Sequence, residues 1–312
     1  MDEEDDPSDH AWVPSSEQPP PFKWAIGVEL DEDHLGPLRF AAVLARADPR
    51  DVTLGLHVLP SHELLHPLVT HAEAAQINEK VANRVAGLMA REGLAESQVR
   101  VELVEDDEVE HGLAEVSRRL GVDALIVGRR AKRDEDPIVR LGEVTRRLLR
   151  KLPVPIIVTP PDFGSADEPD IGSGPVIVGV DLSEHCDAAV AFANTLAAKL
   201  GRPLLLAHGT PAFSWGVSYI PTASMEQLQA QTREAAADKL RAWALSRGIS
   251  ADQHVFMGDP AKMLLALARS NDAAVLVTGS RLLGPVERLF LSSVSSELAA
   301  AARCPVAVVP GD

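Results

Sequence analysis

Cysteine is nearly absent from this chain: 312 residues carry two, Cys186 and Cys304. Neither has a partner pattern for a disulfide framework or a catalytic constellation, so both are expected to act as small buried hydrophobes in a reducing compartment. Long apolar runs are missing as well. None approaches the roughly 20 residues of a membrane span, and the N-terminus is acidic where a signal peptide would be basic. A cytoplasmic protein with no membrane partner is the expectation. Positive charge is also scarce. Lys and Arg total 30 against 46 Asp and Glu, for a net charge of −16. Seven of the acids lie in the first 21 residues, which hold no base, and the remaining 39 acids still outnumber the 30 bases. A nucleic acid partner is not expected on that balance.

What the chain does contain is a repetition. WAIGVELDED from Trp24 and VPIIVTP ending at Pro160 return as VIVGVDLSEH from Val176 and CPVAVVP ending at Pro310. A duplication of this size implies two copies of one domain, each long enough to close its own core. The expected organisation is an acidic, Pro-rich disordered tail over 1–21, a first domain over 22–160, a linker rich in Pro, Gly, Ser and acid over 161–174, and a second domain over 175–312.

In the second copy, β-branched or apolar runs at Val176 to Val180, Leu204 to Ala207, Gln253 to Met257, Ala274 to Thr278 and Val306 to Val309 read as strands. Helical spacing separates them. Ser183 is placed to cap a helix that Gly201 stops, and further helices run to Ser246, from Pro260 to Arg269 and from about Ser293. The first copy repeats the order with strands near Ala25 to Val28, Val52 to His57, Val99 to Val104, Ala124 to Val127 and Pro155 to Val158. Continuous apolar strands alternating with helices predict an α/β fold: two tandem open-sheet domains with mostly parallel five-stranded sheets flanked by helices, Rossmann-like in type.

Ligands in such sheets bind at the carboxyl ends of the strands. Asp181, His208-Gly209, Gly258-Asp259 and Gly279-Ser280 fall at those ends in the second copy, and Ser292, Ser293, Val294 and Ser295 open its last helix. A helix N-terminus with adjacent hydroxyls is suited to phosphate. Ordinary capping by Ser293 or Ser295 explains the same residues without a ligand, and on those residues alone it is the better explanation.

The motifs VGVDLS, GDPAKMLLALA, VLVTGSR and SSVSSELAAAARCPVAVVP, with IGVELDE, ALIVGRR and GEVTRRLLRKLPVPIIVTP in the first half, resemble universal stress protein domains. The resemblance covers all but the tail and linker, and the family includes members that bind ATP and members that do not. It implies an adenine nucleotide-type fold and a phosphate pattern of Gly, two residues, Gly, nine residues, Gly, then Ser or Thr. Here the second copy reads Gly279, Leu282, Ser292 and Ser293, so two of three glycines are replaced. The resemblance makes Asp181, Gly258, Gly279, Ser280, Ser292, Ser293, Val294 and Ser295 the candidate nucleotide contacts, with ATP as the implied cofactor and Asp181 near its ribose or a bound Mg²⁺.

The first copy departs further. Gly128 is kept, Ala131 replaces the second glycine, Gly142 arrives one residue late, Glu143 stands where a hydroxyl is expected, Glu29 replaces Asp181, and Glu105 falls near the position of Gly258. A carboxylate at a phosphate site repels the ligand, so this half reads as a structural or regulatory copy.

Other clusters carry less. His57, His62, His66 and His71 are interrupted by Pro60 and Pro67 and read as no metal site; His57 matches His208, which points to a shared structural role. Arg146, Arg147, Arg150 and Lys151 suit a helix C-terminus. Phe213, Trp215 and Tyr219 read either as a lid or as packing. No nucleophile with a base and an orienting acid is present, so no catalytic residue is named.

The functional expectation is a cytoplasmic tandem stress-response or regulatory module binding ATP in its second domain. The alternatives are a nucleotide-independent protein-interaction module and, ranked last, a slow ATPase or self-phosphorylating enzyme. The resemblance further implies that the last strands, Ile156 to Val158 and Ala307 to Val309, pair within one chain as a pseudo-dimer, since bare apolar edges aggregate. A homodimer and a separate protein partner stay open.

Overall fold

A computed structural model describes residues 19–30, 34–60, 70–130, 141–164, 171–211, 222–280 and 294–311. Residues 1–18 of the expected tail lie outside these residues, as do His62 and His66 of the histidine cluster, the aromatic group at Phe213, Trp215 and Tyr219, and Ser292 and Ser293. The first half runs β1 (Lys23–Gly27), α1 (Gly36–Ala47), β2 (Val52–Leu59), α2 (His71–Arg91), β3 (Val99–Glu105), α3 (Val109–Leu120), β4 (Ala124–Gly128), α4 (Glu143–Lys151) and β5 (Ile156–Thr159). The second repeats it as β6 (Val176–Val180), α5 (Asp187–Leu200), β7 (Leu204–Thr210), α6 (Thr222–Ser246), β8 (Asp252–Met257), α7 (Pro260–Ser270), β9 (Val275–Ser280), α8 (Val294–Ala301) and β10 (Val306–Pro310).

The ten strands form one sheet in the order β3-β2-β1-β4-β5-β10-β9-β6-β7-β8. Every pairing within a half is parallel. The seam is the one antiparallel pairing among them, with Val306 opposite Val158, Ala307 opposite Ile157 and Val308 opposite Ile156. The expected intrachain pair of last strands is therefore present, and the two half-sheets share a continuous ladder.

Alternation along each strand feeds two cores. Trp24 and Ile26 of β1 and Val176 and Val178 of β6 face one layer, which α1, α2, α5 and α6 cover. Ala25 and Ile177 face the other, beneath α3, α4, α7 and α8. Both faces of the sheet are covered, which is why the strands are apolar without polar alternation. Local signals set the helix ends: Thr70 and Glu73 form a reciprocal capping box on α2, Asp259 accepts from the Lys262 amide with Pro260 in the first turn of α7, and Gly201 ends α5 in the left-handed region at φ 61°.

Ser183 does not cap α5. A short 3₁₀ turn, Glu184–Cys186, precedes that helix, and the Ser183 hydroxyl instead donates to Asp181 Oδ1 at 2.6 Å. The described ends of the linker are docked. Phe163 is buried with its ring edge-on to Phe40, centroids 5.6 Å apart, and the Gly174 amide donates to the Asp272 carbonyl at 2.9 Å.

Candidate functional site

At the carboxyl ends of β6, β7, β8 and β9 the second half opens a cavity of about 560 Å³. Its walls include Gly179, Asp181, Cys186, His208, Gly209, Phe256, Leu264, Thr278, Gly279 and Ser280, and α8 presents Val294 and Ser295 to it. Five of the eight expected site residues are thus brought together: Asp181, Gly279, Ser280, Val294 and Ser295. Gly258 does not line the cavity. It takes φ 120°, a backbone conformation that favours glycine, and its amide donates to the Thr210 carbonyl at 3.0 Å. Its role is to turn the chain from β8 into α7.

Asp181 follows β6 and is held by its own loop. Its Oδ1 accepts from the Ser183 amide at 3.0 Å, the Ser183 hydroxyl at 2.6 Å and the Cys186 thiol at 2.9 Å. Leu182 pays for this tight loop with a positive φ of 63°. Burial, and then the adjacent Asp181 carboxylate, pushes the Cys186 thiol up to about 11, so it stays protonated and donates.

His208 Nδ1 lies 2.9 Å from the Val180 carbonyl. A carbonyl only accepts, so Nδ1 carries a proton and donates it to this bond. His57 makes the same bond to Val28 at 2.8 Å in the first half. The shared role expected for the two histidines is to tie neighbouring strand ends. Ser295 repeats a bond of the first half too: its hydroxyl donates to the Gly279 carbonyl at 3.3 Å, as Thr145 does to Gly128 at 2.7 Å. That bond occupies the Ser295 proton, so the group the residue offers as a donor to a ligand is its backbone N–H.

The equivalent cavity of the first half is smaller, about 320 Å³, and includes Glu29, His57, Val58, Gly128, Val144 and Thr145 in its walls. The strand ends differ as well. Val58 stands where the second half has Gly209, and Val104 where it has Phe256, as the strand registers show. A Cβ on Gly209 would come within 2.5 Å of the Phe256 ring, so the glycine allows the aromatic wall. Neither residue was picked out as a pair from the sequence, although aligning the copies exposes the exchange.

Glu29 lies in the wall of this cleft as expected, whereas Glu105 and Glu143 are placed differently. The counterpart of Gly258 is Asp106, not Glu105: the Asp106 amide bonds the Leu59 carbonyl at 3.1 Å as Gly258 bonds Thr210. Asp106 is paired with His111 Nδ1 at 2.6 Å, and this bond lowers its carboxyl and raises the imidazole from their ordinary values. Glu143 is bound to Arg147 at 2.5 Å and does not line the cavity. Arg147 also reaches buried Glu110 at 2.5 Å, so this base serves a helix–helix pair rather than a helix C-terminus, whereas Arg150 and Lys151 do lie in the last turn of α4.

These features define a tandem α/β protein with a strand-end cleft in each half, one of them enlarged. The universal stress protein family profile matches residues 25–160 and 173–310, and the chain belongs to that family. A universal stress protein of Thermus aquaticus is 32% identical over 136 residues, 43% of this chain and 96% of that protein. One of Mycobacterium tuberculosis H37Rv is 29% identical over 178 residues, 54% of this chain and 55% of that relative, so this match spans about half of each. The solved structure of a universal stress protein from Archaeoglobus fulgidus superposes with a TM-score of 0.63 at 20% identity, covering 92% of this chain and 98% of that one. A functionally unknown protein of Pseudomonas aeruginosa PAO1 reaches the same score at 18% identity, with 93% and 92% covered. Both share the fold. Among the described residues no helix is long and apolar enough to cross a membrane, and no group of His, Cys, Asp and Glu is arranged to hold a metal ion by itself.

Proposed function

We propose that this tandem universal stress protein is a cytoplasmic stress-response module that binds an adenine nucleotide, ATP with Mg²⁺, in its second half, while the first half supports it. The observation that carries the reading is the asymmetry of the two clefts: the second is enlarged to about 560 Å³, has an aromatic wall at Phe256, and ends at the N-terminus of α8. A cavity of this size with few convergent polar groups suits a nucleotide. Among its described lining residues there is no Lys or Arg. Phosphates would be met by amide N–H groups at Gly279, Ser280, Val294 and Ser295 and by the positive end of the helix dipole. Asp181 would hold Mg²⁺, which supplies the cation that the cleft lacks.

Leu282 and Ser292, in place of two family glycines, favour the second reading, a nucleotide-independent interaction module. Hydrolysis is not proposed: the Cys186 thiol that Asp181 holds at the cleft stays protonated and donates, and the described lining residues pair no serine hydroxyl with a histidine. Native mass spectrometry of the purified chain, followed by calorimetry with Mg-ATP, separates the readings. Copurified adenine nucleotide or saturable heat supports the first; neither signal at millimolar Mg-ATP leaves the second.

A further inference from the structure

Arg129 is the first-half counterpart of Ser280, one residue beyond Gly128 as Ser280 is beyond Gly279. The two take opposite directions. Ser280 lines the second cleft, whereas Arg129 does not line its own. It is 2% exposed, and its guanidinium donates to the Ala300 carbonyl, which belongs to the last turn of α8 in the other half. The sheet order accounts for the reach: β4 adjoins β5, and β5 adjoins β10, the strand that α8 leads into.

A helix of eight residues depends strongly on its ends, because about half of its N–H and C=O groups lack partners within the helix. The last turn of α8 contains no basic residue of its own, in contrast to α4 with Arg150 and Lys151. The charge that complements its carbonyl end comes from across the seam. The opposite end of the same helix supplies Val294 and Ser295 to the second cleft.

We propose that Arg129 is a positioning residue for the second cleft, holding α8 from the first half so that its N-terminal amides face the phosphate of a bound nucleotide. The first half is then part of the binding apparatus even though its own cleft is reduced. This rests on the nucleotide reading above for its ligand, but not for the placement of α8.

The test uses the full chain as wild type, Arg129→Met and Arg129→Lys, with two readouts: amide hydrogen exchange over Val294–Ala301, and dissociation constants for AMP and adenosine. Expected are faster exchange in α8 for Arg129→Met and a threefold to tenfold loss, in order of magnitude, of the preference for AMP over adenosine, with adenosine affinity unchanged. Arg129→Lys, which keeps the charge, should retain much of both and decides the matter should Arg129→Met fail to fold. Unchanged exchange in α8 overturns the inference, as does an equal loss for AMP and adenosine, which is the mark of a purely structural role. A wild type that binds neither probe and gives no heat with Mg-ATP refutes the nucleotide reading, and exchange in α8 then judges the placement by itself.

Discussion

Lys199 Nζ lies 2.7 Å from Asp51 Oδ1, a second-half ammonium against a first-half carboxylate, both side chains almost wholly buried. The same ammonium reaches Asp48 Oδ2 at 2.7 Å and sits 4.9 Å from the centre of the Phe22 ring. Asp51 also accepts from the Phe22 amide and from Trp24 Nε1, each at 2.7 Å. The seam thus has a satisfied ionic contact between its halves as well as a strand ladder. Losing one member of such a buried network strands the others without solvent. Lys199→Met should cost about 3 to 5 kcal/mol in denaturant unfolding; a loss within experimental error would mean that the network contributes no net stability.

Acid should weaken the same contact. Arg50 above all, aided by Lys199 and opposed by burial, holds the Asp48 carboxyl well below the usual carboxylate range. A group depressed in the folded state binds its proton more readily when unfolded, so its stabilisation is complete above about pH 4 and is lost as pH falls below it. Melting temperature measured between pH 6 and 3 should drop below about pH 4, and Asp48→Asn should flatten that drop.

The register of β5 and β10 allows a second test of the pairing. Ile157 and Val308 are buried at the seam, so a carboxylate at either would be desolvated or would force the strands apart. Ile157→Asp and Val308→Asp should each lose about 3 kcal/mol or more and should aggregate through the exposed edge. Wild-type solubility and stability in both variants would contradict the arrangement.

Much of this fold was legible in the sequence because burial on both faces leaves a plain mark. The apolar runs at Val176, Leu205 and Val306 admit one reading, and β5 and β10 could be paired because apolar edges require cover. The site was less legible. Gly258 is a turn residue rather than a wall, and Ser183 is a partner of Asp181 rather than a helix cap, because both answer to hydrogen bonds that spacing does not encode. Asp106 was displaced by Glu105 because equivalence there is set by the ladder register and not by residue type. Arg129 and Lys199 were missed for a further reason: each acts across the seam, where no local pattern reports the partner.

Cys186 offers a check on the Asp181 loop. With its thiol pushed up to about 11, alkylation at pH 8 should run on the order of a hundredfold slower than for a free cysteine. Asp181→Asn removes the charge that contributes to the shift and should speed the reaction; rates equal to those of a small thiol in the wild type would refute the loop geometry.

The proposed Mg-ATP site of the second cleft lies against the N-terminus of α8. Val294→Asp places a carboxylate at the first residue of that helix, which suits the dipole and preserves folding while repelling phosphate. Isothermal calorimetry of Mg-ATP against the wild type and Val294→Asp probes that site. The wild-type chain should show one saturable site, and the variant an affinity at least about tenfold weaker. Equal affinities would place the nucleotide elsewhere, and absence of binding by the wild type at millimolar Mg-ATP would rule out a nucleotide in this cleft.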